Sequence, residues 1–206
     1  MSSRGASGPI RMKLTVHTFL TLDGVMQAPG HPDEDRSNGF DQGGWVGPYA
    51  DAEFGAIVSS WFAHADEFLL GRSTHQDMQA YWSTVTDPDD AIAVALNGLP
   101  KHVPSSTITS SDWAGTTIVT GDVVEAATAL KARPGRELQV HGSWQLVRTL
   151  HDAGLVDTYR LVTFPVVLGA GKRLFADGAA PTGFTVVDTE VTSGGLVHQV
   201  LEPAGA

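Results

Sequence analysis

The chain contains no cysteine. That excludes disulfides, zinc–thiolate centres and iron–sulfur clusters, and it fits a reducing cytoplasm, where the protein is expected to work. Positive charge is also scarce: 13 Lys and Arg stand against 23 Asp and Glu, a net charge of −10. Sequence-independent binding to nucleic acid or to an anionic membrane needs clustered cations, so neither is an expected partner. No apolar run approaches the ~20 residues of a membrane span. The first residues, MSSRGASGPIRM, lack the apolar segment of a secretory signal; 1–12 read as a disordered tail, with Met12 an alternative start. A small molecule or another copy of the chain is the expected partner.

At 206 residues and 42% hydrophobic, the chain can bury one core, and no linker interrupts 13–203. Leu14, Val16, Thr18 and Leu20 alternate with Lys13, Thr15, His17 and Phe19, the period of a strand. A glycine- and proline-rich segment from Thr21 to Ala50 follows, too long for a plain connection and therefore a candidate lid or binding loop. Ala52–Ala65 reads as a helix with Phe54, Ile57, Val58, Trp61 and Phe62 on its apolar side. Further strands are expected at 67–70, 101–108, 117–119, 138–140 and 159–164, and helices up to Trp82, over 90–97, over 123–132 and after Ser143. Phe184–Val191 and Leu196–Leu201 pair as a hairpin around Ser193-Gly194-Gly195. This alternation predicts an α/β fold of three layers, a mixed sheet covered on both faces.

Two helices are expected to begin with free backbone N–H groups after a strand, at Gly142-Ser143 and at Gly71-Arg72-Ser73-Thr74. Such starts bind phosphate, and Arg72 adds a fixed cation suited to a 2′-phosphate. Gly169-Ala170-Gly171-Lys172 is not a P-loop, having Val166 in place of the first glycine and Arg173 in place of Ser or Thr. Nor is it a dinucleotide fingerprint, whose third glycine is replaced by Leu174. His141-Gly142-Ser143-Trp144-Gln145 lacks the flanking glycines of a nucleophile elbow, so Ser143 reads as a helix cap. The eight histidines show no metal-binding spacing, and no metal is expected. The acidic run His31-Pro32-Asp33-Glu34-Asp35 reads as a solvated loop. Among the tryptophans, Trp45 alone sits among loop glycines, placed for a ligand.

Taken together, Leu22-Asp23-Gly24-Val25, Leu70-Gly71-Arg72-Ser73-Thr74, Lys101-His102-Val103-Pro104-Ser105, Val140-His141-Gly142-Ser143 and Pro165 through Phe175 resemble one family. It is the dihydrofolate-reductase-like superfamily, most similar in the reductase domain of the riboflavin-biosynthesis deaminase-reductase and its stand-alone bacterial relatives. The resemblance implies a mostly parallel mixed sheet with an antiparallel C-terminal hairpin, a homodimer, and NADPH as hydride donor. It implies that Gly71, Arg72, Ser73 and Thr74 hold the 2′-phosphate and its neighbour, Ser105 and Ser106 the adenosine side, and Gly142, Ser143, Trp144, Gln145 and Leu146 the pyrophosphate. Gly169 and Gly171 would shape the cofactor's other side. Asp23, or water held by it, would supply the proton, and Gly24, Gln27, Trp45 and Pro165 would face the substrate. The implied reaction is that of a 5-amino-6-(5-phosphoribosylamino)uracil reductase. Dihydrofolate reduction itself is disfavoured, because no acid lies between Ile57 and Ala65 where a pterin-gripping carboxylate belongs. Thr158 stands where riboflavin-type reductases often carry glutamate, and no basic residues for a ribosyl phosphate are evident. A nucleotide-binding protein without turnover, acting as a sensor, is the alternative.

Overall fold

The computed structural model describes residues 11–205. Residues 1–10 of the expected tail lie outside the described part, whereas Arg11 and Met12 belong to the fold. Met12 is buried, and its N–H donates to the Arg133 carbonyl at 3.0 Å.

Eight strands form one sheet: β1 (Lys13–Thr21), β2 (Ala65–Leu69), β3 (Lys101–Pro104), β4 (Thr116–Val119), β5 (Glu137–His141), β6 (Thr158–Phe164), β7 (Phe184–Val191) and β8 (Val197–Pro203). Five helices connect them: α1 (Ala52–Phe62), α2 (Arg72–Trp82), α3 (Ala91–Gly98), α4 (Val123–Lys131) and α5 (Trp144–Asp152). The spatial order is β4-β3-β2-β5-β1-β6-β8-β7. Strands β1 to β6 run parallel; β8 is antiparallel to β6 and β7, which makes the expected hairpin.

The strand period sorts the core into two layers. Leu14 and Val16 of β1 and Leu138 and Val140 of β5 meet Ala127 and Leu130 of α4 and Val147 and Leu150 of α5. On the opposite face, Ile57, Trp61 and Phe62 of α1 and Leu96 of α3 pack on Phe68, Val162 and Phe164. That second face also carries polar side chains: Glu137, Gln139 and His141 of β5, Thr15 and His17 of β1, and Arg160 of β6. Arg160 grips Glu137 through two bonds of 2.9 and 2.8 Å, and Gln139 Nε2 donates to Glu137 at 2.7 Å. These bonds are what make burial of the charges tolerable.

Two element ends differ from expectation. Strand β3 stops at Pro104 rather than Ile108, because Ser105 Oγ accepts the N–H groups of Thr107 and Ile108 and turns the chain. Helix α1 ends at Phe62, three residues early, since Ala65 pairs with Glu137 in the sheet and pairing overrides the helical period.

Candidate active site

Because β1 to β6 are parallel, their carboxyl ends share one edge, the place where open α/β sheets bind ligands. The loops after β2, β5, β1 and β6 lie side by side there. They hold Gly71–Thr74, Gly142–Ser143, Leu22–Gly24 and Pro165–Lys172. The sequence-predicted site is thereby brought together from four distant segments.

At its centre two helix starts are tied to each other. The Gly71 N–H donates to Ser143 Oγ at 2.9 Å, and the Ser143 N–H donates to Thr74 Oγ1 at 3.1 Å. A Cβ at Gly71 would stand 3.3 Å from both Cβ and Oγ of Ser143, tighter than most real contacts, so glycine permits this approach. Gly142 and Ser143 are both left-handed, at φ 52° and 53°, and this turn aims α5 at the edge. Ser143 stands at the N-cap position but does not cap. Its hydroxyl donates to the His141 carbonyl at 2.9 Å and accepts from Gly71, which corrects the cap expectation. Helices α1, α3 and α4 are instead closed by the side chains of Asp51, Asp90 and Asp122. The starts of α2 and α5 have no side-chain cap. Their first N–H groups, those of Arg72, Ser73 and Thr74 and of Trp144, Gln145 and Leu146, have no partner within their helices and carry the positive end of the dipole.

Arg72 is exposed at the first position of α2, and its Nη1 donates to Gln76 at 2.9 Å. Among the described residues it pairs with no carboxylate. Ser106 is exposed at the neighbouring β3 end, while Ser105 is engaged in its own turn. Trp144 donates its indole N–H to the Arg173 carbonyl at 2.8 Å, and the Leu146 side chain is buried in the core, leaving its backbone alone at the edge.

Five expectations change. Asp23 accepts from the Thr21 hydroxyl at 2.6 Å, Gly169 N–H at 2.9 Å and Leu168 N–H at 3.3 Å, and pairs with Arg173 at 3.3 Å. The Thr21 bond foremost, against the opposing effect of desolvation, holds the carboxyl down at about 2, so it carries no proton to donate near neutral pH. Gly169 gives its N–H to that carboxylate rather than to a ligand. Gln27 is 4% exposed: its amide nitrogen donates to the Asp35 and Ser37 carbonyls and its oxygen accepts from Lys172 N–H, so it ties loops together rather than facing substrate. Trp45 is 7% exposed, packs against Phe164 and donates to the Gln27 carbonyl at 2.8 Å; it is core beneath the long loop. Gly171 likewise faces the protein, with Val25 and Phe40 against it. Gly24, at φ 78°, and Pro165, exposed, stay at the rim.

The acidic run is not simply solvated either. Glu34 accepts from Gly30 N–H at 2.6 Å, and Asp35 pairs with Lys172 at 2.6 Å. His31 meets Asp77 of α2 at 3.0 Å, which holds its imidazole above the usual range and pins the long loop to that helix. Sequence reasoning missed these ties because loop-to-loop partners have no sequence period. Among the described residues, no three His, Cys, Asp or Glu side chains converge as a metal site. A cleft of about 550 Å³ opens beside Trp144, between the long loop and the loop after β6, with Phe40, Gln42, Arg148 and Lys172 among its walls.

A three-layer sheet of this order, with its crevice at the parallel strands' carboxyl edge, is the dihydrofolate-reductase-like class of α/β protein. The chain belongs to the RibD C-terminal domain family, whose model matches residues 12–198. It is 31% identical over 137 residues to the uncharacterized protein YyaP of Bacillus subtilis (strain 168), covering 66% of this chain and 72% of that one. A candidate riboflavin biosynthesis protein from Shewanella sp. PV-4 has the same fold, with TM-score 0.66, 21% identity and coverage of 93% and 99%. So does dihydrofolate reductase from Enterococcus faecalis complexed with NADP(H), at TM-score 0.57, 11% identity and coverage of 93% and 96%.

Proposed function

We propose that the chain is an NADPH-dependent reductase that delivers hydride to a C=N or C=O carbon of a small, flat, heterocyclic substrate. The observation that carries this reading is the pair of uncapped helix starts joined through Gly71 and Ser143, with Arg72 beside them. Two positive dipole ends and one free guanidinium suit the pyrophosphate and 2′-phosphate of NADPH. Trp144, Gln145 and Leu146 would hold the pyrophosphate by backbone N–H, and Arg72, Ser73 and Thr74 the 2′-phosphate, with Ser106 beside the adenosine. Bound NADPH supplies a hydride. The chain supplies orientation and exclusion of water. Asp23 fixes the loop that borders the reacting ring, and the proton comes from water.

Removing the guanidinium tests the reading directly. Arg72→Ala should weaken NADPH on the order of 1.5–3 kcal/mol, roughly 10- to 150-fold, and leave NADH nearly unchanged. Equal weakening of both cofactors in a fluorescence titration rules out the 2′-phosphate role. A second reading, nucleotide binding without turnover, is favoured by the ionised, fully engaged state of Asp23. Steady NADPH oxidation with any acceptor would exclude it.

A further inference from the structure

The part of the carboxyl edge beyond the nucleotide crevice, between α1 and the ends of β1 and β6, is walled by aromatic rings. Phe19 lies 5.2 Å from Phe54, Phe54 5.6 Å from Phe164, and Tyr49 5.6 Å from Phe164, centroid to centroid. Phe19, Tyr49 and Phe54 are each only half-buried, as are Val58 and Leu168 beside them. At the rim Leu22 and Val167 stand 64% and 63% exposed.

The charges at this edge are already engaged. Among the described residues the cations at this edge are Arg36, Arg72, Arg148, Lys172 and Arg173, since the remaining lysines and arginines lie at strand starts, on α4's last turn or the turn after it, or within the sheet. Arg36 pairs with Asp33, Arg148 with Asp152, Lys172 with Asp35, and Arg173 with Asp23. Lys172 and Arg173 sit in partly buried pairs, and drawing either to a new anion would leave its carboxylate unpaired, whereas the Arg36 and Arg148 pairs are exposed and weak and Arg148 stands on α5, across the sheet from α1. Arg72 alone is free of a carboxylate, and it follows β2. Strands stand about 4.8 Å apart, so the end of β1 is roughly 10 Å from it and that of β6 roughly 14 Å. One guanidinium cannot serve the nucleotide and a substrate phosphate at that distance. The helix that borders the aromatic wall has a closed, acidic start: Asp51 accepts from Phe54 N–H at 2.8 Å, and Glu53 lies in the first turn. The start of α1 therefore repels an anion where those of α2 and α5 attract one.

Resting on the reductase reading above, we infer that the acceptor substrate is an uncharged, unphosphorylated, flat compound, held by ring stacking against Phe19 and Phe54. A phosphoribosyl substrate, whose phosphate carries about −1.5 to −2 charges, meets no cation free of a carboxylate on the α1 side of the site. In the reaction two electrons and a proton pass from NADPH to the C=O or C=N carbon, and water protonates the heteroatom.

Matched pairs decide it. The full chain, saturated with NADP+, is titrated with 5-amino-6-(5-phosphoribosylamino)uracil and with the same compound freed of phosphate, then with salicylaldehyde phosphate and salicylaldehyde. Binding is read as thermal stabilisation, and NADPH oxidation is followed alongside. The expected result is stabilisation by the uncharged member of at least one pair, with the phosphate improving affinity less than about two-fold. The proposal is overturned if either phosphorylated member binds roughly ten-fold tighter than its partner, or if neither uncharged compound binds. Failure of NADP+ itself to raise the melting temperature counts against the nucleotide reading, a separate outcome read before any acceptor is added.

Discussion

At the turn after β1 the sequence Thr21-Leu22-Asp23-Gly24 offers one acid at the carboxyl edge, and the family resemblance makes it, or water held by it, the source of the proton. The structure assigns it another task because four partners converge on its carboxylate from the Thr21 hydroxyl and the loop after β6. Those partners are 145 residues and more away for Leu168, Gly169 and Arg173, a separation that leaves no local pattern to read. Asp23→Asn keeps the shape and removes the charge, and its amide can turn a donor toward the Gly169 and Leu168 N–H groups. Loss of charge-assisted bonds should lower the unfolding free energy by about 1–3 kcal/mol in urea titrations. Any fall of NADPH oxidation with rising pH should persist in the variant, since a carboxyl held at about 2 does not titrate in the assay range. Disappearance of that fall in the variant would return the donor role to Asp23.

Among the elements, the strands and helices were legible because their periods are strong: the alternation through Leu14–Leu20 became β1, and the helix starts at Arg72 and Trp144 fell where glycine follows a strand. The long connection was misread in part. Glycine and proline mark an irregular backbone, yet they do not say whether that backbone is loose. Here Val25, Met26, Ala28, Phe40, Trp45 and Val46 are all buried, Met26 N–H donates to the Lys172 carbonyl, and Leu174 N–H donates to the Gly24 carbonyl. The long loop and the loop after β6 thus form one packed unit. Gly171 is where they touch most closely: a Cβ there would stand 2.6 Å from Val25 Cγ1 and 3.1 Å from the Phe40 ring, at φ 127°. Gly171→Ala should therefore cost about 2–4 kcal/mol of stability. Gly24→Ala is the control, since φ 78° strains it but nothing lies within 4 Å, and its loss should stay at about 1–2 kcal/mol. Equal urea midpoints for the two variants would mean the loops do not pack as a unit.

Across the whole molecule, the buried polar layer under α1 sets the dependence of stability on pH. His141 lies between His17, stacked at 4.7 Å, and Phe62, stacked at 4.5 Å, with Gln139 on its Nε2 and Phe68 behind it. Burial, and then the Arg160 guanidinium, push its imidazole down from 6.5 to about 3. Burial foremost also lowers His17 well below its ordinary value, with His141 and Arg160 adding to it, and lowers His198 and His75. His17 Nδ1 has no hydrogen-bond partner, so protonation there would create a buried charge with nothing to receive it. Each of these groups takes up a proton more readily in the unfolded chain than in the folded one, so stability falls as pH falls through and below about 6.5. The slope per fully depressed histidine is about 1.4 kcal/mol per pH unit. His31, raised by Asp77, acts in the opposite sense, but its pair is exposed and weak. Urea unfolding should show little change from pH 8 to 7 and then a loss of about 2–4 kcal/mol between pH 7 and 5, as more than one histidine contributes. His141→Gln, which keeps a polar side chain but cannot be charged, should flatten that loss by about 1–2 kcal/mol relative to its own value at pH 7. A stability that stays level down to pH 5 would mean that the histidine layer takes protons without opening, and that α1 is held by something other than the neutral state of these rings.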